Sequence, residues 1–531
     1  MRFRNLLVIF FLTVFFRVPN LSEIPRWDWD EGANLDMTLH LMEGRAQWFA
    51  LRFPYVPHPP LFFIVSSLFI KFFGPSILTL RMLAVTLSVA TTILIYCLGV
   101  KLFDERTGFL AGVLYAVYPV AVYWGRMGLA NNLLVFLSVS SMYLFQCFLE
   151  RRDYRLLYSS ALLAGLCFVT GFAGLSALLA VLFLTFKYAR EKIHYSLTFS
   201  LAAPAAFIAY ELYSMPVFFI TEVLFQLERF NFTFTKLAFV LIAVFLIYLL
   251  RKFFKTIADS MRSAMTEIPI LGLIFMSFFA LFMFPLSDSG YHLAFSDYLT
   301  YVFSLGFAVK PLFFVESGEK KNLVLSYFFF YFMFLLAVDR ADHMSMVSYP
   351  YLPLLASSFF LKLFGDVKSF FSGRMVRYAA LSACILVFHP VFISASHSAG
   401  IAFGLTVVRQ DVPSVLSVVD YVGRMVSEDS VVLGYSWMTH LIDSKFCVVG
   451  QSAAYDGHEV AYYSGDYPDL RWAFNCSFRN ADLIILTDGS VGVMEAYPGF
   501  GELLDGISTW EKVYVSVFGV YHNPEKHFLR N

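Results

Sequence analysis

A chain of 531 residues that is 59% hydrophobic and only 15% charged cannot hide its apolar surface in a water-soluble fold, so it reads as a polytopic membrane protein. Basic and acidic residues balance at 39 each, so no electrostatic field points to a nucleic-acid partner. Six cysteines are present, and no pair has metal-ligand spacing.

Met1 to Val18 has a basic start, Arg2 and Arg4, and an apolar body, but Arg17-Val18-Pro19-Asn20 offers no cleavage site, which predicts an uncleaved first span. Directly after it comes Trp27-Asp28-Trp29-Asp30-Glu31-Gly32, three carboxylates between indole rings. Carboxylates beside hydrocarbon are costly to keep ionised without a partner or a use. Two readings stand for this cluster, an acidic interfacial loop anchored by tryptophan and a catalytic edge. Further apolar segments fall at about 81–103, 107–124, 131–149, 155–171, 173–188, 196–213, 236–254, 268–286, 298–315, 322–338, 347–364 and 377–395, which with 5–19 predicts about thirteen spans.

The shorter stretch Pro60–Phe73 holds Lys71 and reads equally as a span or as a surface-lying helix. Loop charge decides between them. With 60–73 not crossing, the basic loops at Lys101–Arg106, Arg151–Arg155, Lys187–Lys192, Arg251–Lys255, Lys320–Lys321 and Lys368–Arg377 all fall on the cytoplasmic side. A long first outer loop, 20–80, is then expected, and most of the unusual polar residues share the outer face. A transporter would more often spread them through the bilayer midplane, with internal repeats, and no convincing repeat is visible.

After Gly400 the character changes. Val412–Val426 has helical spacing, 431–433, 446–449 and 483–486 read as strands, and the alternating stretch 510–521 reads as a final strand or hairpin. The expected organisation is a transmembrane domain over 1–395 and a small extracytoplasmic α/β domain over 396–531. It has no glycine-rich phosphate loop. Cys97, Cys147, Cys167 and Cys384 sit in apolar runs, whereas Cys447 and Cys476 lie in this outer domain, where a disulfide and two separate thiols are both open readings.

The order of features carries a resemblance. The first span and its Asp30-Glu31 loop are followed by His58-Pro59-Pro60-Leu61 opening a short apolar helix. Gly74 and Arg81-Met82-Leu83 start the next span, Lys101-Leu102-Phe103 with Gly108 mark a tight inner turn, and Tyr123-Trp124-Gly125-Arg126 precedes a short outer loop. This order resembles the GT-C membrane glycosyltransferases, in particular the protein O-mannosyltransferase and lipid A aminoarabinose transferase branch. It is good over 1–190, looser to 395 and weak beyond.

The resemblance implies a polyprenyl-phosphate-linked sugar as donor, plausibly mannose, a hydroxyl of a protein, glycan or lipid as acceptor, and inversion at the anomeric carbon on the extracytoplasmic face. It also implies that the first acidic pair, here Asp30 and Glu31, supplies the catalytic base. A positioned carboxylate fits that task because the acceptor hydroxyl loses its proton as it attacks. The departing lipid phosphate calls for positive charge, and arginine grips phosphate oxygens with a permanently charged fork. Candidates are Arg81, Arg126 and Arg340, backed by His58 and His343; the competing reading is of arginines that end helices at headgroup level. Where relatives often carry a second Asp, this chain has Asn131-Asn132; Asn131 can orient a hydroxyl but cannot act as a base. Asp28 and Asp30 form an Asp-x-Asp pair that suits a divalent cation, although two carboxylates are not a full ligand set and no cofactor is required. The rivals to an enzyme are a flippase for lipid-linked sugars and a non-catalytic membrane subunit.

Overall fold

The first apolar run forms α1 (Arg2–Arg17), whose outward phenylalanines, Phe3, Phe11 and Phe15, are more than half exposed, an arrangement suited to lipid rather than water. The computed structural model describes residues 2–43, 59–214, 394–460 and 474–526, with isolated positions between them. The acidic cluster opens α2 (Trp29–Glu43), and the helices α3 (Leu61–Phe73), α4 (Ile77–Leu102), α5 (Glu105–Ala116), α6 (Pro119–Trp124), α7 (Ala130–Arg151), α8 (Tyr154–Phe168), α9 (Leu175–Tyr188) and α10 (Ile193–Ser214) follow.

Local chemistry fixes these boundaries. Ser76 caps α4 by accepting from the Thr79 N–H at 3.1 Å, and Asp104 caps α5 by accepting from Thr107 at 2.8 Å. The tight inner turn expected around Gly108 brings α4 against α5 so closely that a Cβ on Gly99 would sit 2.7 Å from the Gly108 Cα. Two helices among the described residues, Ile77–Leu102 and Ala130–Arg151, are long and apolar enough to cross a membrane. The segment expected as a single span over 107–124 is instead broken between α5 and α6. Pro119 explains the break: it has no N–H to donate, and its ring would clash with the preceding turn of a continuing helix. The thirteen residues of α3 rise only ~20 Å, short of the ~30 Å hydrocarbon core. The expected segments from 236 to 390 lie outside the described residues apart from isolated positions.

The interior of the helical body runs from Phe62 on α3 through Leu83, Leu98, Phe145 and Ala161 to Val181 on α9, and takes in Tyr327 and Tyr351. Two of its buried tyrosine hydroxyls pair with serines: Tyr327 with Ser141 at 2.8 Å and Tyr351 with Ser138 at 2.7 Å.

The C-terminal part opens with α11 (Val412–Gly423), which turns Val415, Val418 and Val422 inward. A five-stranded mixed sheet follows, in the order β2-β1-β3-β5-β4: β1 (Val431–Gly434), β2 (Lys445–Val448) and β3 (Leu483–Thr487) are parallel, and β4 (Glu511–Val515) and β5 (Phe518–His522) form an antiparallel hairpin at the edge. The stretch 510–521, expected as a final strand or hairpin, is a hairpin. Helices α12 (Val449–Tyr455), α13 (Asp488–Met494) and α14 (Gly501–Ile507) complete it. Cys447 and Cys476 are free thiols buried in one cluster on the face of the sheet packed by α13 and α14. On the other face, Val415, Val432 and Leu483 share a single apolar core with Leu35 of α2 and Ile77 and Leu80 of α4.

Candidate active site

The acidic cluster is folded by its own sequence. Asp28 caps α2, its Oδ1 accepting the Asp30 N–H at 2.9 Å, while Glu31 reaches back so that its Oε2 accepts the Asp28 N–H at 3.1 Å. This is a capping box written as Asp-x-x-Glu, and the helix N-terminus it closes favours negative charge. Sequence reasoning passed over that spacing, although it is readable from residues 28 and 31 alone.

Glu31 is fully buried, and its main partner comes from 50 residues away. Arg81, also fully buried, clamps it with two bonds, Nε to Oε1 at 2.7 Å and Nη2 to Oε2 at 2.5 Å. The other Arg81 N–H groups donate to the carbonyls of Leu21, Pro25 and Arg26, so all five are engaged. The Gly128 N–H donates to Glu31 Oε1 at 2.7 Å, which draws the loop before α7 into the same network. Arg126 donates four of its five N–H groups to the carbonyls of Phe16, Pro19 and Ile24. Burial, then Arg81 and Arg17, push its pKa down to about 9, which leaves it cationic at neutral pH. A third buried arginine, Arg17, bonds to Ser88 Oγ and to the carbonyls of Tyr115 and Ala116. Three guanidiniums therefore stitch the chain between Phe16 and Arg26 to the ends of α1, α4 and α5 and to the loop before α7.

Against this positive cluster stand Glu31 and the half-buried Asp28 and Asp30. Burial, together with the charges of Asp30 and Glu31, pushes the Asp28 carboxyl up to about 7. A carboxyl whose folded pKa is raised keeps its proton in the folded state between about 4 and 7 while the unfolded chain has lost it. Its contribution to stability therefore falls as pH rises through that window. Replacing Asp28 by asparagine keeps the cap and removes the titration. The variant should gain melting temperature over the parent at pH 8 and little or none at pH 4, as read by thermal unfolding in detergent.

The family of dolichyl-phosphate-mannose-protein mannosyltransferases matches residues 57–213. No curated protein sequence matches the chain. Among solved structures, ArnT from Cupriavidus metallidurans bound to undecaprenyl phosphate superposes with a TM-score of 0.59 at 11% identity, covering 98% of this chain and 96% of that one. The Archaeoglobus fulgidus oligosaccharyltransferase in its apo form gives a TM-score of 0.61 at 12% identity, over 99% of this chain and 75% of that one. The same archaeal enzyme in complex with an inhibitory peptide and a dolichol-phosphate gives 0.56 at 13% identity, over 99% and 75%. The chain therefore shares the fold of ArnT and of the archaeal oligosaccharyltransferase over nearly its whole length, and residues 57–213 match the mannosyltransferase family.

The acidic cluster precedes the segment that the family matches, so its roles rest on its own geometry. The structure brings Asp28, Asp30, Glu31, Arg81 and Arg126 together at one end of the bundle. Asn131 is half-buried in the first turn of α7. Its neighbour Asn132 donates its amide to the carbonyls of Trp124 and Met127, a structural use that accounts for one of the two amides. His58, Arg340 and His343 lie outside the described residues. Of the other two expected cations, Arg81 is saturated by the protein and Arg126 keeps one N–H to offer, so the geometry makes them braces for the acidic loop. Arg17, fully buried with them, was not singled out by the sequence, because its partners are backbone carbonyls about a hundred residues away. Among the described residues no group of three or more His, Cys, Asp or Glu side chains is arranged to hold a metal ion.

Proposed function

We propose that this protein is a GT-C glycosyltransferase that moves one sugar, mannose in the first instance, from a polyprenyl-phosphate carrier to a hydroxyl of a protein, glycan or lipid, with inversion at the anomeric carbon. Asp30 is the general base. The observation that carries this reading is the placement of Asp30 in the first turn of α2, half-buried and one residue from the clamped Glu31–Arg81 pair. Glu31 is held by Arg81 and cannot take a proton without losing that partner.

In the transfer step, the acceptor oxygen attacks C1 of the sugar and its proton passes to Asp30. A new C–O bond forms at C1 as the bond from C1 to the phosphate oxygen breaks, and the electron pair leaves with the polyprenyl phosphate. The leaving phosphate needs a cation. The remaining N–H of Arg126, together with Arg340, is the proposed source, with His58, Asn131 and His343 lining the donor site. We assign the site to the extracytoplasmic rim of a body of about thirteen helices, capped by the domain from residue 396 onward. The repeated basic loops on one side support this topology. Two solved structures of the same fold support the donor class: one carries undecaprenyl phosphate and another a dolichol-phosphate and an inhibitory peptide. No metal is needed in this scheme, and Asp28 acts by capping α2.

The test is a panel of polyprenyl-phosphate sugars offered to the purified protein with hydroxyl acceptors. Release of free polyprenyl phosphate from at least one donor is expected. Movement of the lipid between bilayer leaflets with no release from any donor would overturn the proposal.

A further inference from the structure

In open α/β sheets the strand order reverses at a switch point, and ligands settle at the carboxyl ends of the strands beside it. Here the reversal occurs at β1, which lies between β2 and β3. What meets the carboxyl end of β1 is the acidic end of α2. The short turn Ser436–Met438 follows β1 directly, and Gly32 presses on its backbone. A Cβ on Gly32 would stand 2.3 Å from the Trp437 nitrogen and 2.5 Å from the Ser436 carbonyl carbon and the Trp437 Cα. Ser436 Oγ donates to the Trp29 carbonyl at 2.6 Å. The Trp437 ring stacks on Tyr435, 5.0 Å between centroids at 11°, and meets the Trp27 ring edge-on at 5.8 Å. Just upstream, the Gln410 N–H donates to the Glu23 carbonyl and the Arg26 N–H to the Val408 carbonyl, both at 2.8 Å. The acidic stretch is therefore gripped from both sides by the C-terminal domain.

We propose that the turn Ser436–Met438 sets the position of the carboxylates at the head of α2, so that Ser436 and Trp437 are positioning residues for sugar transfer and Gly32 is the point of register. This inference rests on the assignment of Asp30 as base. The contact is backbone against backbone, two residues from Asp30, so no side-chain rotation can relieve an added methyl group. The helix must shift instead, by an amount on the scale that costs a reaction about 10²-fold while leaving remote binding intact.

The experiment measures kcat, the KM for the lipid-linked sugar and the melting temperature for Gly32→Ala, Ser436→Ala and Asp30→Asn in the full-length protein. Gly32→Ala is expected to lower kcat about 10²-fold with KM unchanged within about threefold. Ser436→Ala should lower kcat by up to about tenfold at an unchanged melting temperature. Wild-type kcat in both variants, beside an inactive Asp30→Asn, overturns the positioning role and leaves the base assignment standing. Full activity of Asp30→Asn overturns the base assignment itself. If Gly32→Ala does not fold, Ser436→Ala decides: a raised KM with unchanged kcat is the result of a merely structural contact and overturns the proposal.

Discussion

Asp30→Asn is expected to reduce sugar transfer by about 10²- to 10⁴-fold, the contribution of a positioned general base, with donor binding close to that of the parent. The substitution is isosteric and removes the capacity to accept the acceptor's proton. The α2 cap survives it, because that cap is made by the Asp28 side chain and the Asp30 backbone N–H, neither of which changes. Binding and chemistry should separate: lipid-linked sugar should still bind, measured by quenching or calorimetry, while release of polyprenyl phosphate falls. A loss of binding in step with activity would mean that Asp30 holds the donor, and wild-type turnover would mean that the base lies elsewhere.

The second large effect concerns stability. Glu31→Gln leaves the Arg81 guanidinium fully buried without its counter-charge, and breaking a buried pair from one side costs about 3–5 kcal/mol. Arg81→Met should do comparable damage by a different route. It strands the Glu31 carboxylate and also removes the donors to the Leu21, Pro25 and Arg26 carbonyls. The double variant should recover only part of the loss, since cancelling the charges does not give those carbonyls new partners. Arg81→Lys should fall between parent and Met, because an ammonium keeps the charge but has three donors where five are in use. Thermal or denaturant unfolding in detergent, run as a double-mutant cycle, reads all four. Additive losses would show that the pair does not act as a unit.

These two residues also mark how far the sequence alone could be read. Composition and apolar spacing were enough for a helical body, and the alternation after Gly400 was enough for a small α/β unit, because both signals are local. The grouping of Asp30 with Arg81 and Arg126 at one end of the bundle was also legible, since each borders a span. What the sequence hid was the use of the charges. Arg81 looked free to bind phosphate, yet its five donors are taken by a carboxylate and three carbonyls, and carbonyls leave no trace in the identity of a residue. Glu31 looked like part of the catalytic base, while its spacing from Asp28 marked a capping partner. The break at Pro119 inside an apolar run was missed because hydropathy carries no information on backbone continuity. Trp437 gave no warning at all, since its partner Gly32 lies some four hundred residues earlier.

The shared core of Leu35, Ile77 and Leu80 with Val415, Val432 and Leu483 has a bearing on biosynthesis. Leu35 on α2 and Ile77 and Leu80 on α4 are translated long before the residues they pack against. Until α11 and the sheet have followed, these side chains lack the partners that bury them, and Gly32 lacks the turn it packs on. The head of α2 therefore reaches its final position only after the sheet has folded onto it.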